Sequence, residues 1–184
     1  MRRRELAWCA ALGSCALTGC AGWTDGYGGP AYATSGGSNQ DGYAAGVESL
    51  ITPRPGTFLN RDTKPWPIGL HNAFQLTLAP AIQTFSWLTG VAYFSHPEPI
   101  SGYVIAGTNL HFDLLQSHFS FGNFQPYGEL GVAARLGSRD DASDGWVLTM
   151  GAQVMWLYNY LATGDEPRSN GYVTFKFGLG WDVH

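Results

Sequence analysis

His118 and Ser120 stand two residues apart, so on an extended segment a base and a hydroxyl share one face. A serine becomes a nucleophile when a neighbouring base takes its proton and a carboxylate orients that base; Glu129 is the candidate for the third place. The chemistry of such a set is acyl transfer. His111 and Asp113 repeat the same spacing and offer half of a metal site. Asp140, Asp141 and Asp144 gather carboxylates as a calcium loop does, but without the glycine and glutamate of an EF-hand. Spacings of two recur by chance in any strand-rich chain. The plain readings are a hydrogen-bonded pair at His111 and Asp113 and a solvated turn at the aspartates. The sequence is therefore read as carrying no catalytic site and no metal. Gly28-Gly29 has no strand before it or helix after it to make a phosphate loop, so no cofactor is expected.

The elements that must position these residues alternate with period two. In 145–157, Trp146, Leu148, Met150, Ala152, Val154 and Trp156 share one face, and Val147, Thr149, Gly151, Gln153 and Met155 the other. In 172–183, Val173, Phe175, Phe177, Leu179 and Trp181 oppose Tyr172, Thr174, Lys176, Gly178 and Asp182. Segments 127–136, 103–114 and 72–79 repeat the pattern, 83–95 and 42–51 are strand-like, and 117–122 is a short eighth candidate. Turn chemistry separates them: prolines over 53–67, Pro80, His96 to Pro99, Gly122 to Pro126, Gly137 to Asp144 and Gly164 to Gly171. The fold expected is all-β, an antiparallel up-and-down barrel of eight strands over 41–184.

Charged residues are only 13% of the chain and aromatics 14%, with 25 glycines; a helical soluble enzyme has the opposite balance, and a β protein with one apolar face fits. The N-terminus adds a second layer. Arg2, Arg3 and Arg4 precede an apolar run from Leu6 to Leu17, the plan of a secretory signal. The run is too short to cross a bilayer as a helix. Leu17-Thr18-Gly19-Cys20 resembles the lipobox of bacterial lipoproteins. That resemblance implies removal of residues 1–19, fatty acylation of Cys20 with palmitate-like chains, and a mature chain beginning there. Cys9 and Cys15 would leave with the signal, so neither a disulfide nor a cysteine metal site is expected. Arg2 to Arg4 and Glu5 leave too, which takes the net charge from −4 to −6 and argues against nucleic acid as a partner. Glycines crowd residues 21–40, which are read as a flexible tether between lipid and domain.

Trp146 and Trp156 are ten residues apart on one face. At roughly 3.3 Å per residue they are about 33 Å apart along a strand. A tilt near 40° projects this to roughly 25 Å, the height of the apolar band of an outer-membrane barrel. Trp146, Trp156 and Trp181 are the expected aromatic girdle. Pro126-Tyr127-Gly128-Glu129-Leu130-Gly131-Val132-Ala133-Ala134 and the closing run Gly171 to His184 resemble strands of small bacterial outer-membrane β-barrel proteins, although their last residue is usually aromatic and here it is His184. The resemblance implies a location in the outer membrane of a Gram-negative bacterium. Ala21, after the lipobox cysteine, is not the aspartate that lipoproteins use for inner-membrane retention.

With the bulky face turned to lipid, Glu48, Gln75, Asn109, His111, Asp113, Glu129, Arg135, Gln153, Lys176 and Asp182 point inward. Eight strands leave an interior that side chains fill, so no open pore is expected. The anticipated polar cluster is Glu129, Arg135, Gln153, Lys176, His111 and Asp113, with Glu129 paired to Lys176 or Arg135. The role read from the sequence is structural or interaction-based in the cell envelope. Its partners would be outer-membrane lipid and other envelope proteins, and the lipid anchor would lie on the periplasmic side. The alternative is a periplasm-facing lipoprotein whose lipocalin-like or sandwich domain binds a small apolar ligand. A third reading starts from His118-x-Ser120, which is similar to the His-x-Ser of lipid A deacylase barrels and implies an acyl hydrolase. In that family the motif follows the Pro-aromatic strand, and here it precedes it.

Overall fold

Strict in-out alternation organises every long strand of the computed structural model, which describes residues 20–35, 38–53, 66–80, 82–95, 100–114, 118–119, 125–136, 145–159 and 168–183. Eight long strands run antiparallel in chain order: β1 (Cys20–Ser35), β2 (Ser38–Pro53), β3 (Ile68–Ala79), β4 (Ile82–Phe94), β5 (Ile100–Asp113), β6 (Gln125–Leu136), β7 (Gly145–Asn159) and β8 (Arg168–Val183). Each pairs with its neighbour, and β1 pairs with β8, for example Gly26 opposite Leu179, so the sheet closes into a barrel. No described residue is helical. Closure removes the exposed edges that an open sheet would present.

The stagger of this barrel can be followed residue by residue. The register path from Trp23 runs through Leu50, His71, Gly90, Gly107, Tyr127, Met155 and Tyr172 and returns to β1 at Ala33, ten residues further on. Eight strands with that stagger tilt by roughly 40° from the barrel axis. A strand of 12 to 16 residues then spans a bilayer-sized wall.

Two expectations from the sequence are corrected. The described residues of the expected tether over 20–40 are strand: Cys20–Ser35 is the first strand of the wall, and 38–40 begin the second. Its odd positions Trp23, Asp25, Tyr27, Ala31 and Ala33 are buried inside, but its outward positions include Gly26, Gly28 and Pro30, so no bulky face marks the alternation. Backbone bonds to β2 and β8 supply what the glycines cannot bury. The predicted strand over 117–122 is likewise not a wall strand. Among its described residues, His118–Phe119 pairs as a two-residue extension beside the end of β5, and β5 bonds directly to β6 from Ile100 to Asn109. The count of eight survives because β1 takes the place of that segment.

The barrel is inverted relative to a soluble domain. Outward lie Leu70, Phe74, Trp87, Leu130, Met150, Phe177 and their neighbours, all exposed. Inward lie charged and polar groups together with tyrosines laid across glycines. A β-carbon on Gly131 would come within 2.5 Å of Tyr103 Cζ, and one on Gly107 within 2.5 Å of Tyr127 Cε1. Glycine at these points lets each aromatic ring lie flat on the neighbouring strand.

Candidate functional site

The interior holds one continuous polar cluster, and every member stands on the inner face of its strand by alternation. Lys176 on β8 is 1% exposed. Its Nζ donates to both carboxylate oxygens of Glu129 on β6 at 2.8 Å, and to Oε2 of Glu48 on β2. The same Nζ lies 4.0 Å from the centroid of the Tyr27 ring on β1, close enough for a cation–π contact. Glu129 also accepts from the Tyr103 hydroxyl at 3.0 Å and from Gln153 Nε2 at 3.1 Å. His71 on β3 bridges Glu48 at 3.0 Å through Nε2 and the Tyr127 hydroxyl at 2.7 Å through Nδ1. A carboxylate only accepts, so Nε2 carries the proton toward Glu48.

Seven of the eight strands thus meet through one ammonium and two carboxylates. Buried charges are tolerable only when paired and hydrogen-bonded, and here the pairing is complete for both oxygens of Glu129. Glu48, His71 and Glu129 also form a metal-type donor set, with ligand atoms within 4.8 Å of one another. The ammonium of Lys176 touches both carboxylates of that set and balances the charge a cation would otherwise meet.

Other parts of the interior are chemically distinct. Toward the chain termini, Arg135 pairs with Asp182, and Thr149 donates to Asp25. Trp23 packs edge-on to Phe94, with ring centroids 5.4 Å apart. Toward the opposite end the described lining is mostly uncharged amides and hydroxyls: Gln75, Thr77, Ser86, Asn109, Gln125 and Thr174 are all buried.

The residues expected from the sequence fall as follows. Glu129, Gln153 and Lys176 come together. Arg135 is elsewhere, with Asp182. His111 is buried on the inner face of β5, opposite Ser86, outside the metal-type set. Nothing is described of the Asp113 side chain. His118 pairs in register with Asp113, Ser120 lies outside the described residues, and Glu129 is engaged with Lys176 inside the barrel. Asp140, Asp141, Asp144 and His96 lie outside the described residues. Cys20 opens β1 opposite Pro53. Trp146 and Trp181 are exposed and stand edge-on, centroids 5.2 Å apart; Trp156 is exposed toward the other end, opposite Gly171.

Parity in the sequence sets Tyr103 and Tyr127 on the inner face, as the structure has them, but sequence reasoning missed their contacts, and it missed His71, Asp25 and Tyr27 as members of the interior. His71 was legible: it continues the inward series Ala73, Gln75, Thr77 by one repeat. Asp25 and Tyr27 were hidden by reading β1 as a tether.

These features define a class: a closed, eight-stranded antiparallel β-barrel with an apolar outer wall and an ion-paired interior. No helix of the described residues is long and apolar enough to cross a membrane, which says nothing against crossing by strands. No family model and no curated protein matches the sequence. Among solved structures the chain is similar to Neisserial surface protein A (NspA), with 13% identity and a TM-score of 0.57 over 90% of this chain and 98% of that one. The outer membrane protein OprG from Pseudomonas aeruginosa aligns over 88% of this chain and 95% of its own, at 11% identity and a TM-score of 0.32, too low to support an argument. The likeness to NspA speaks to the fold.

Proposed function

We propose that this chain is an outer-membrane β-barrel lipoprotein, acylated at Cys20 on the periplasmic side, with a structural or interaction role in the envelope and no open pore. One observation carries the reading: the wall is apolar outside and the charges are inside. Water outside and a dry core within would reverse that arrangement. The fold is shared over nearly the whole of both chains with NspA, a protein named for the neisserial surface, and that fits an envelope location. The absence of a pore is supported by Lys176, Tyr27, Tyr103 and Tyr127, which converge on the middle of the interior. The charged lining also offers little to an apolar ligand, so the periplasmic ligand-binding alternative gains nothing from it.

Two measurements test the proposal. The folded protein should migrate faster than the boiled one on a gel, as a closed barrel does. A Cys20→Ser form should lose fatty-acid labelling yet stay in membranes through carbonate extraction. Release of the unlipidated form into the soluble fraction would overturn the membrane-spanning part, and unchanged labelling would overturn the anchor.

A further inference from the structure

The outer wall carries one feature that lipid does not explain. Thr24, Ser49, Asn72, Thr89 and Thr108 are directly opposed in register across β1 to β5. All five face outward, so they form a single hydrogen-bonding row across the wall. Asn72 has exposed Ile68 and Leu70 on one side of it along β3, and exposed Phe74, Leu76 and Leu78 on the other. It therefore lies well inside the apolar belt. The outward positions over 126–136, 146–156 and 171–181, such as Leu130, Leu148, Met150 and Phe177, include no polar side chain other than the rim tryptophans. The row is also sunken: Ser49 is only 6% exposed. The hydroxyls of Thr24 and Ser49 satisfy each other at 2.7 Å. The Thr108 hydroxyl is buried and has no partner among the described residues.

We propose that this row is the contact face for a second copy of the chain within the membrane. The inference rests on the membrane-spanning reading above. Hydrocarbon neither donates nor accepts hydrogen bonds, so amide and hydroxyl groups in it seek protein partners. A soluble partner does not reach that depth. A copy related by a two-fold axis along the membrane normal does, because that rotation preserves depth: Asn72 then meets Asn72 of the partner subunit. An amide carries both donors and an acceptor, so such a pair is complementary to itself. The small side chains of the row let the two walls approach closely, as small residues do between membrane helices. The tilt of the strands makes the two rows cross, which leaves Asn72 at the centre and the threonines toward the rim of the contact.

The test is oxidative crosslinking in intact membranes of the full chain carrying one added cysteine. Thr89→Cys, which keeps Asn72, should give a product of twice the chain's mass, several-fold above the parent chain and above Met150→Cys on the opposite wall. Adding Asn72→Leu to a Thr89→Cys form should cut its dimer yield at least fivefold while the heat-modifiable mobility stays that of a folded barrel. Equal crosslinking at positions 89 and 150, a yield at 89 no greater than the parent's, or a product of another mass would overturn the proposal. A barrel retained in carbonate-washed membranes without the dimer removes this inference alone. A barrel released by carbonate removes the membrane reading and this inference with it.

Discussion

Lys176 Nζ sits 2.8 Å from each oxygen of Glu129 while also bonding Glu48, so one ammonium joins two carboxylates from strands far apart in the chain. Breaking a buried ion pair on one side leaves an uncompensated charge and costs about 3–5 kcal/mol, whereas replacing all members together is often neutral. Lys176→Met should therefore lower the unfolding free energy of the refolded barrel by about that amount in urea titration. The triple form with Glu48→Gln and Glu129→Gln should recover most of the loss. If the single variant lost under about 1 kcal/mol, a surface-like value, the cluster would not be what holds the interior together.

Phe177 is 58% exposed on the outer wall, opposite Met150 and away from either rim of β8. An arginine facing lipid near mid-depth costs about 2–4 kcal/mol, falling to about 0–1 near the interface. Phe177→Arg should thus destabilise the barrel far more than Trp181→Arg, which lies near the end that bears the termini. Equal small losses in lipid vesicles would mean that this wall faces water.

Alternation made most of the wall legible in advance: bulky residues of β6, β7 and β8 face outward and Glu129, Gln153 and Lys176 face inward, as their parity requires. The partner choice within the interior was only half legible. Parity assigns Arg135 and Lys176 to the same space, but the stagger of the barrel decides depth, and it carries Arg135 to Asp182 rather than to Glu129. That stagger is fixed by closure of β1 on β8, and β1 was the strand whose glycines erased its own pattern. Parity places Tyr103 and Tyr127 inside, but what they pack against was unreadable for a related reason. Tyr103 and Tyr127 lie across glycines of adjacent strands, so their fit depends on pairings between segments distant in sequence.

Gly131 and Tyr103 form one such fit, and it can be tested directly. A methyl at 131 would stand 2.5 Å from the Tyr103 ring and 2.6 Å from the Met150 carbonyl oxygen. The Met150 carbonyl cannot retreat without moving its strand, and the Tyr103 ring can retreat only by giving up its place beside Glu129; overpacking of this kind costs about 1–3 kcal/mol. At Gly26, which is outward and exposed, the nearest atom is 4.0 Å away. Gly131→Ala should shift the urea midpoint downward clearly, and Gly26→Ala should leave it nearly in place. Similar midpoints for the two variants would contradict the packing of Tyr103 described above.

Cys20 opens β1 directly, two residues before Gly22 pairs with Val183 at the end of β8. Fatty chains on that cysteine would be held at the barrel rim with no intervening tether. The segment that follows then has a structural duty that a linker lacks: Tyr27 contacts Lys176 and donates to Gln75 at 2.8 Å, and Asp25 accepts from Thr149. Deleting residues 24–31 from the full chain would open the sheet between β2 and β8 and expose two unpaired edges. The deleted form should lose the fast-migrating folded species on unboiled gels and become protease-sensitive, even while fatty-acid labelling persists. A deletion that kept full heat-modifiable mobility would restore the role of this stretch as a spacer and remove β1 from the wall.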